Sequence, residues 1–237
     1  MKELFCCGTT LPESYHKAIS ALYHDGAKVA CTDWNTNCLE CGMTMVVEKP
    51  LEEPRISRVA FSTPDSLKAY LAEMLDGSLD WAIAEGKEPY TYHDRMVNYD
   101  GIDQLQFVVD ELKRNPESRR AVVLIRSKAD IGNADPACLQ HISFFIREGK
   151  LDCMVLFRSN DGMKATFMNA YALIEIQKKL ADAIGVPVGT YTHRANSFHC
   201  YEPDWPMLES ACKRIESGNN LFYDSESYFE MCEDEDE

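Results

Sequence analysis

Two strand-like runs joined by a short turn constrain the fold more than any other feature of this chain. Residues 142–147 and 151–158 are rich in apolar side chains, and Glu148-Gly149-Lys150 between them is typical of a β-hairpin. Adjacent strands joined by a tight turn pair in antiparallel fashion, whereas a doubly wound parallel sheet needs a long crossover after each strand. A sheet with a large antiparallel component is therefore expected.

Helical periodicity separates this hairpin from other strand-like runs. We predict helices over residues 14–24, 102–112, 170–184 and 204–215, one more capped by Asp65 and ended by Gly77, and strands over 43–47, 121–125 and 188–194. This order of elements favours an α+β fold, in which helices pack on a mixed, largely antiparallel sheet.

The composition suits one large globular domain. The chain has 237 residues, of which 45% are hydrophobic, and it contains no internal repeat and no long linker. We expect a single domain over residues 1–229. The acidic residues within 230–237 indicate a solvated C-terminal tail.

Charge and hydropathy narrow the classes of partner. With 24 basic and 39 acidic residues the net charge is -15, which argues against a broad nucleic-acid or membrane surface. The longest apolar runs are far shorter than a bilayer span, and no charged-then-apolar segment opens the chain. A cytoplasmic protein is expected, and any anion that it binds must be met locally.

The ten cysteines do not indicate a disulfide framework, because disulfide-dense domains are typically small and secreted. Zinc is the other candidate use for Cys31, Cys38 and Cys41. Only Cys38-x-x-Cys41 has ligand spacing, however, and no matching second pair follows it. We therefore expect free thiols and no metal.

Cys138 is a candidate nucleophile, because it follows Pro136-Ala137 and lies between two strands, where a side chain can face a cleft. A buried cysteine that only packs is the alternative. Arg119-Arg120 and Arg158-Ser159 offer forked donors for phosphate, and nearby cations would favour the thiolate form of Cys138. Ion pairing with Glu117 or Asp161 is the other use open to these arginines.

Further motifs extend this pattern in a fixed order. They are Glu117-Ser118-Arg119-Arg120, Pro136-Ala137-Cys138, Gly149-Lys150-Leu151, Arg158-Ser159-x-Asp161, Asn169 and His199-x-Tyr201. In order and spacing they resemble the thymidylate synthase family, over about residues 76–205. Tyr90-Thr91-Tyr92, Cys138-Leu139-Gln140 and Tyr201-Glu202-x-Asp204-Trp205 give the chain the style of the short archaeal-type enzymes.

The resemblance implies that the Cys138 thiolate adds to C6 of a pyrimidine, so that C5 becomes nucleophilic and attacks a one-carbon unit. That unit would come from 5,10-methylene-tetrahydrofolate or a related reduced pterin. Arg158 and Ser159 match the phosphate clamp, completed by Arg119 and Arg120 from the partner subunit. A homodimer with shared active sites is thereby implied.

The resemblance also assigns the remaining contacts. Asn169 matches the amide that reads the base and favours dUMP over dCMP, and an N-terminal helix cap is its alternative role. His199 and Tyr201 match the groups that hold the sugar, although both are also ordinary strand residues. Asp161 matches the carboxylate that orients the pterin, and an exposed loop aspartate is the alternative.

Two aromatic residues complete the implied site. Trp81 and Tyr92 match positions near the cofactor and near the C5 proton, respectively, and either is also a plausible core residue.

Three departures from the family pattern bear on the chemistry. The usual catalytic glutamate is replaced by Tyr70, and Glu73 is the nearest acid, one turn further along the helix. Leu139 replaces the histidine that commonly follows the nucleophile. An acidic terminus replaces the short apolar tail that closes over the cofactor. A pyrimidine nucleotide 5-hydroxymethylase and a non-catalytic nucleotide-binding module therefore stand as alternatives.

Overall fold

The computed structural model describes residues 1–231. Its strands are β1 Glu3–Gly8, β2 Ala27–Cys31, β3 Thr36–Val47, β4 Ile56–Ser57, β5 Val122–Leu124, β6 Leu139–Arg147, β7 Lys150–Asp161, β8 Val188–Tyr201 and β9 Phe222–Tyr223. Its helices are α1 Leu11–Asp25, α2 Pro64–Asp76, α3 Trp81–Ala84, α4 Tyr92–Val97, α5 Gln104–Arg114, α6 Thr166–Ile184, α7 Trp205–Ser217 and α8 Ser225–Glu230.

Seven strands form one mixed sheet in the order β1-β3-β8-β7-β6-β5, with β2 paired to β3. The β1–β3 and β7–β8 pairs are parallel, and the other pairs in this sheet are antiparallel. β4 and β9 form a separate antiparallel pair. The expected α+β architecture with a largely antiparallel sheet is confirmed.

The β6–β7 hairpin is present and has a turn of two residues. Glu148 and Gly149 have φ of 51° and 73°, which is the left-handed pair that a type I′ turn requires. Lys150, predicted as part of the turn, is already paired with Arg147 at the start of β7.

The predicted cap of α2 was wrong. Thr63 is the N-cap, and its hydroxyl oxygen accepts from the Ser66 amide over 3.2 Å. Asp65 lies in the first turn instead, because Pro64 occupies the first helical position, where its missing N–H is not needed. Gly77 ends the helix with φ of 67°, as predicted.

Two strands extend further than their apolar patterns indicated. β3 begins at Thr36 rather than at residue 43, and β8 continues to Tyr201 rather than stopping at residue 194. Their ends pair with each other, Cys38 with Tyr201 and Glu40 with His199. Polar residues therefore continue both strands into the region where the predicted site residues gather.

The core lies between one face of the sheet and the helices. α1 contributes Tyr15 and Ile19, and the sheet contributes Phe144 and Phe157, all fully buried. Within residues 1–231, no helix combines the length and apolarity needed to cross a membrane. Glu230 ends α8, and the predicted acidic tail from residue 232 onward lies outside the described residues.

Candidate active site

A cleft of about 1140 Å³ opens where β6, β7 and β8 meet the start of α6. Eight of the residues predicted for the site line it: Tyr92, Cys138, Arg158, Ser159, Asp161, Asn169, His199 and Tyr201. They come from positions 92 to 201, so the fold brings together residues that lie far apart in the sequence.

Cys138 is the residue immediately before β6, and Arg158 lies beside it on β7. The Arg158 amide donates to the Cys138 carbonyl oxygen over 2.8 Å. The guanidinium Nε and Nη2 donate to the carbonyl oxygens of Ala137 and Pro136 over 3.1 and 2.6 Å. These bonds hold the Pro136-Ala137-Cys138 segment in place, and Nη1 is without a hydrogen-bond partner among residues 1–231, leaving donors for an anion.

The expected cationic neighbour does favour the thiolate form, because Arg158 lowers the pKa of Cys138, but it does not set the net shift. Burial raises the pKa of Cys138 above its ordinary value, Arg158 lowers it by a smaller amount, and Asp135 raises it again. The net shift is upward, because desolvation disfavours the charged form more than one arginine favours it. The resting side chain is therefore a thiol at neutral pH.

Tyr92 begins α4 beside Cys138. Its hydroxyl oxygen accepts from the Leu139 amide over 3.3 Å. Burial raises its pKa well above the ordinary tyrosine value, although the Leu139 amide acts in the opposite direction. The phenol therefore stays protonated at neutral pH, and its O–H is able to donate into the cleft.

The end of β8 supplies two cleft-lining side chains. His199 and Tyr201 lie on the same strand face, and their rings contact edge to face with centroids 4.8 Å apart. Nδ1 of His199 lies 3.4 Å from Oγ of Ser159, on the neighbouring strand β7. The predicted alternation along one strand is confirmed, and it places an imidazole, a phenol and a hydroxyl at one end of the cleft.

Asp161 is neither exposed nor in a loop, so that alternative for it was wrong. It is the last residue of β7 and is partly buried. Its Oδ1 accepts from the Met163 and Lys164 amides, both over 2.9 Å. Oδ2 has no hydrogen-bond partner among residues 1–231, which leaves one carboxylate oxygen for a ligand in the cleft.

Asn169 lies inside the first turn of α6, so the helix-cap alternative was also wrong, and Ala165 occupies the N-cap position. The start of this helix is held by Asn160, whose Oδ1 accepts from Thr166 over 2.7 Å and lies 2.9 Å from Nε2 of His193. Tyr70 of α2 donates a hydrogen bond to Oδ1 of Asn169. Tyr70, which stands at the position of the family's catalytic glutamate, thus contacts Asn169, the residue expected to recognise the base.

Four predicted residues do not line this cleft. Arg119 and Arg120 are exposed in the segment before β5. Glu73 is partly buried on α2, where burial, followed by Glu88 and Asp80, raises its pKa. Trp81 is 51% exposed, and Lys87 lies over its ring at 4.5 Å, so the core alternative for Trp81 was wrong.

The β2–β3 hairpin forms a wall of the cleft that we did not predict. Cys31, Trp34 and Cys38 all line it, and Trp34 is 71% exposed. The turn residues before and at Asn35 could have predicted this hairpin, because asparagine is common in turns. In the structure Asn35 has a φ of 49°. Throughout residues 1–231, no group of three or more His, Cys, Asp or Glu side chains is arranged to hold a metal ion.

Comparisons with known proteins match this chain to one family. The family model described as thymidylate synthase matches residues 65–225, which is more than half of the chain. A protein of Methanocaldococcus jannaschii named "Putative thymidylate synthase" is 31% identical over 205 residues, covering 81% of this chain and 88% of its own length.

Two further relatives agree. A protein of the same name from Methanosarcina barkeri is 28% identical over 211 residues, covering 87% of this chain and 93% of its own length. The "Thymidylate synthase" of Bacillus licheniformis is 30% identical over 122 residues, covering 51% of this chain and 44% of its own. The matched region contains every residue of the cleft that we assigned from motifs, and the chain belongs to the thymidylate synthase family.

Proposed function

We propose that this protein methylates C5 of dUMP to give dTMP, through a covalent adduct between Cys138 and the pyrimidine ring. The observation that carries the proposal is the convergence in one cleft of a cysteine, an arginine with free donors and an amide able to read a base. These are Cys138, Arg158 and Asn169. A cysteine that served only to pack the core would not be expected to line a cleft together with Arg158 and Asn169.

The nucleotide phosphate binds Arg158 and Ser159. Arg158 keeps Nη1 available, and Ser159 supplies a hydroxyl next to His199. His199 and Tyr201 then face the sugar, and Asn169 faces the base. Arg119 and Arg120 do not line the cleft of their own chain, which fits the role of completing the clamp in the partner subunit.

The open face of the sheet supports a homodimer. Strand register aligns Phe5, Thr44, Arg194, Leu156, His141 and Leu124 in one row across six strands. Phe5 and Leu124 are 70% and 48% exposed in the single chain, and Met154 on the same face is 47% exposed. These exposed apolar side chains share the face with the polar Thr44, Arg194 and His141, and a mixed surface of this kind suits an interface between subunits.

The chemistry requires the Cys138 thiol to lose its proton as it attacks C6. Arg158 lowers the pKa of this thiol and so stabilises the thiolate. The Tyr92 hydroxyl, which accepts from the adjacent Leu139 amide over 3.3 Å, lines the same cleft. Addition at C6 makes C5 nucleophilic, so that one difficult substitution is divided into two easier steps. Loss of the C5 proton then expels the one-carbon carrier and leaves an exocyclic methylene on the ring, which is still bound to Cys138. Addition of hydride to that methylene restores the ring double bond and releases Cys138.

The one-carbon donor in this proposal is 5,10-methylene-tetrahydrofolate or a related reduced pterin, which supplies a methylene unit and a hydride. The cleft is large enough for a nucleotide and a second heterocycle, and the free Oδ2 of Asp161 is a suitable acceptor for pterin N–H groups. Trp81 and Glu73 lie outside the cleft. In this proposal Trp81 contacts the pterin and Glu73 serves as the catalytic acid, and both roles require the protein to close around the bound ligands.

A nucleotide 5-hydroxymethylase is the second candidate, because it uses the same covalent chemistry with water in place of hydride. The replacement of the family's acid by Tyr70 favours this candidate. The Tyr70 phenol is neutral, so the steps that follow the addition of Cys138 are those expected to differ from the usual reaction of the family. Both candidates depend on Cys138.

The experiment that tests the proposal is product analysis by mass spectrometry after incubation with dUMP and methylene-tetrahydrofolate. Methylation adds one CH2 to the nucleotide, and hydroxymethylation adds one CH2O. A stable covalent complex with 5-fluoro-dUMP, absent from Cys138→Ser, would distinguish either enzyme from a binding module. No adduct and no product would overturn the proposal.

A further inference from the structure

A tyrosine on α2 lies behind the amide that faces the cleft. The hydroxyl of Tyr70 donates a hydrogen bond to Oδ1 of Asn169, across a separation of 99 residues. Burial, followed by Tyr92 and Glu73, raises the pKa of Tyr70 well above its ordinary value, so the phenol remains protonated and able to donate at neutral pH. Tyr70 does not line the cleft itself.

This contact matters because a free carboxamide reads either of two bases. With Oδ1 towards ring N3–H and Nδ2 towards O4, an asparagine complements uracil. Rotated by half a turn about Cβ–Cγ, the same side chain offers N–H to the unprotonated N3 of cytosine and an oxygen to its amino group. The chemical type of Asn169 therefore does not select a base unless its orientation is held.

The structure holds one of these orientations. Oδ1 of Asn169 has two lone pairs, so it accepts from Tyr70 and keeps one acceptor site for the cleft. Nδ2 has no hydrogen-bond partner within residues 1–231 and remains available as a donor. In the rotated state Nδ2 would donate to the Tyr70 oxygen, and the Tyr70 proton would have no acceptor in that part of the chain, which is unfavourable at a partly buried site.

We propose that Tyr70 determines the choice of uracil over cytosine by fixing the amide of Asn169 with Oδ1 towards its own hydroxyl. It is a positioning residue, since it acts through Asn169 and touches no ligand. The inference rests on the proposed function, because it concerns the pyrimidine that occupies the cleft. It also gives a physical use to the tyrosine that stands in place of the family's glutamate.

Calorimetric titration with dUMP and dCMP tests this without requiring turnover. Wild type should prefer dUMP, and Tyr70→Phe, which removes only the hydroxyl, should reduce that preference about tenfold, by weaker binding of dUMP and tighter binding of dCMP. Tyr171→Phe is the matched control. Tyr171 also lies at α6, but its hydroxyl contacts Ser225 over 3.3 Å, outside the cleft. The control should keep the wild-type preference.

A double-mutant cycle separates positioning from a general structural effect. In the Asn169→Ala background, Tyr70→Phe should change the affinity for neither nucleotide, because the side chain through which it acts is gone. An unchanged preference in Tyr70→Phe would overturn the inference and leave the substrate assignment standing. Equal effects of Tyr70→Phe with and without Asn169 would also overturn it. Failure of wild type to bind either nucleotide would remove both the inference and the proposed function.

Discussion

The Arg158 amide donates a hydrogen bond over 2.8 Å to the carbonyl oxygen of Cys138, the residue just before β6. Because the guanidinium of Arg158 also holds the carbonyl oxygens of Pro136 and Ala137, one side chain supports the candidate nucleophile and offers donors to an anion. A phosphate bound by Arg158 would therefore be kept at a fixed distance from the Cys138 thiol. Such fixed geometry is what turns a weakly populated thiolate into an effective nucleophile.

Replacing Cys138 with serine should abolish tritium release from [5-3H]dUMP, with a loss of about a thousandfold or more, because an alkoxide is far harder to form near neutral pH than a thiolate. Binding of dUMP should persist, since the phosphate and base contacts remain. Cys31→Ser is the matched control, because Cys31 lines the same cleft. Near-normal release by Cys138→Ser would remove Cys138 from the mechanism.

Asp135 should lower the fraction of Cys138 that is thiolate at neutral pH. Its carboxylate raises the pKa of Cys138, in addition to the larger effect of burial. Iodoacetamide labelling of Cys138, followed by peptide mass spectrometry, should therefore rise about tenfold per pH unit below that pKa and be faster in Asp135→Asn at pH 7.

Asp33→Asn is the control for Asp135→Asn, because Asp33 lines the cleft and is not among the groups that shift the pKa of Cys138. Equal labelling rates in Asp135→Asn and wild type would show that this carboxylate does not act on the thiol.

Subunit mixing tests the shared site. Cys138→Ser and Arg120→Ala should each be inactive alone, and mixing them should restore activity, because a hybrid dimer has one site with Cys138 from one chain and Arg120 from the other. Subunit exchange must be shown separately, for example by native mass spectrometry. If exchange occurs without recovery, Arg120 acts within its own chain and the shared-site arrangement is wrong.

The buried Arg95–Asp130 pair should anchor the loop that leads to Cys138. Asp130 is 1% exposed, and its carboxylate accepts from Arg95 over 2.9 and 3.1 Å and from the Ser127 amide over 2.7 Å. Asp130→Asn should lower the free energy of unfolding by about 3 kcal/mol at pH 7, measured by urea denaturation. Asp182→Asn, in the exposed Lys178 pair, should cost less than about 1 kcal/mol.

The cost of Asp130→Asn should depend on pH. Burial alone raises the pKa of Asp130, but the Arg95 and Ser127 hydrogen bonds outweigh it, so the folded-state pKa lies below the ordinary aspartate value. The charged form therefore stabilises the fold above the unfolded-state pKa, and this contribution is lost as the pH falls through the folded-state pKa. The difference between wild type and variant should shrink in acid, and a constant difference would contradict this account.

The sequence by itself determined the local structure and the family. Apolar periodicity and turn-forming residues act over a few positions, so the β6–β7 hairpin and the end of α2 at Gly77 could be predicted from the sequence. The motif order around Cys138 and Arg158 identified the family, because matching residues at several fixed spacings rarely arise by chance. The polar ends of β3 and β8 were not readable, since their strand structure comes from pairing with each other.

The tertiary structure decided what depends on contacts between distant segments. Burial by surrounding residues raises the pKa of Cys138 more than Arg158 lowers it. No sequence pattern predicts which of these two effects is larger. Tyr70 meets Asn169 because α2 packs on α6, 99 residues away. The β2–β3 hairpin forms a wall of the cleft for the same reason. Its turn is a local structure, but its position beside the cleft depends on the order of strands in the sheet.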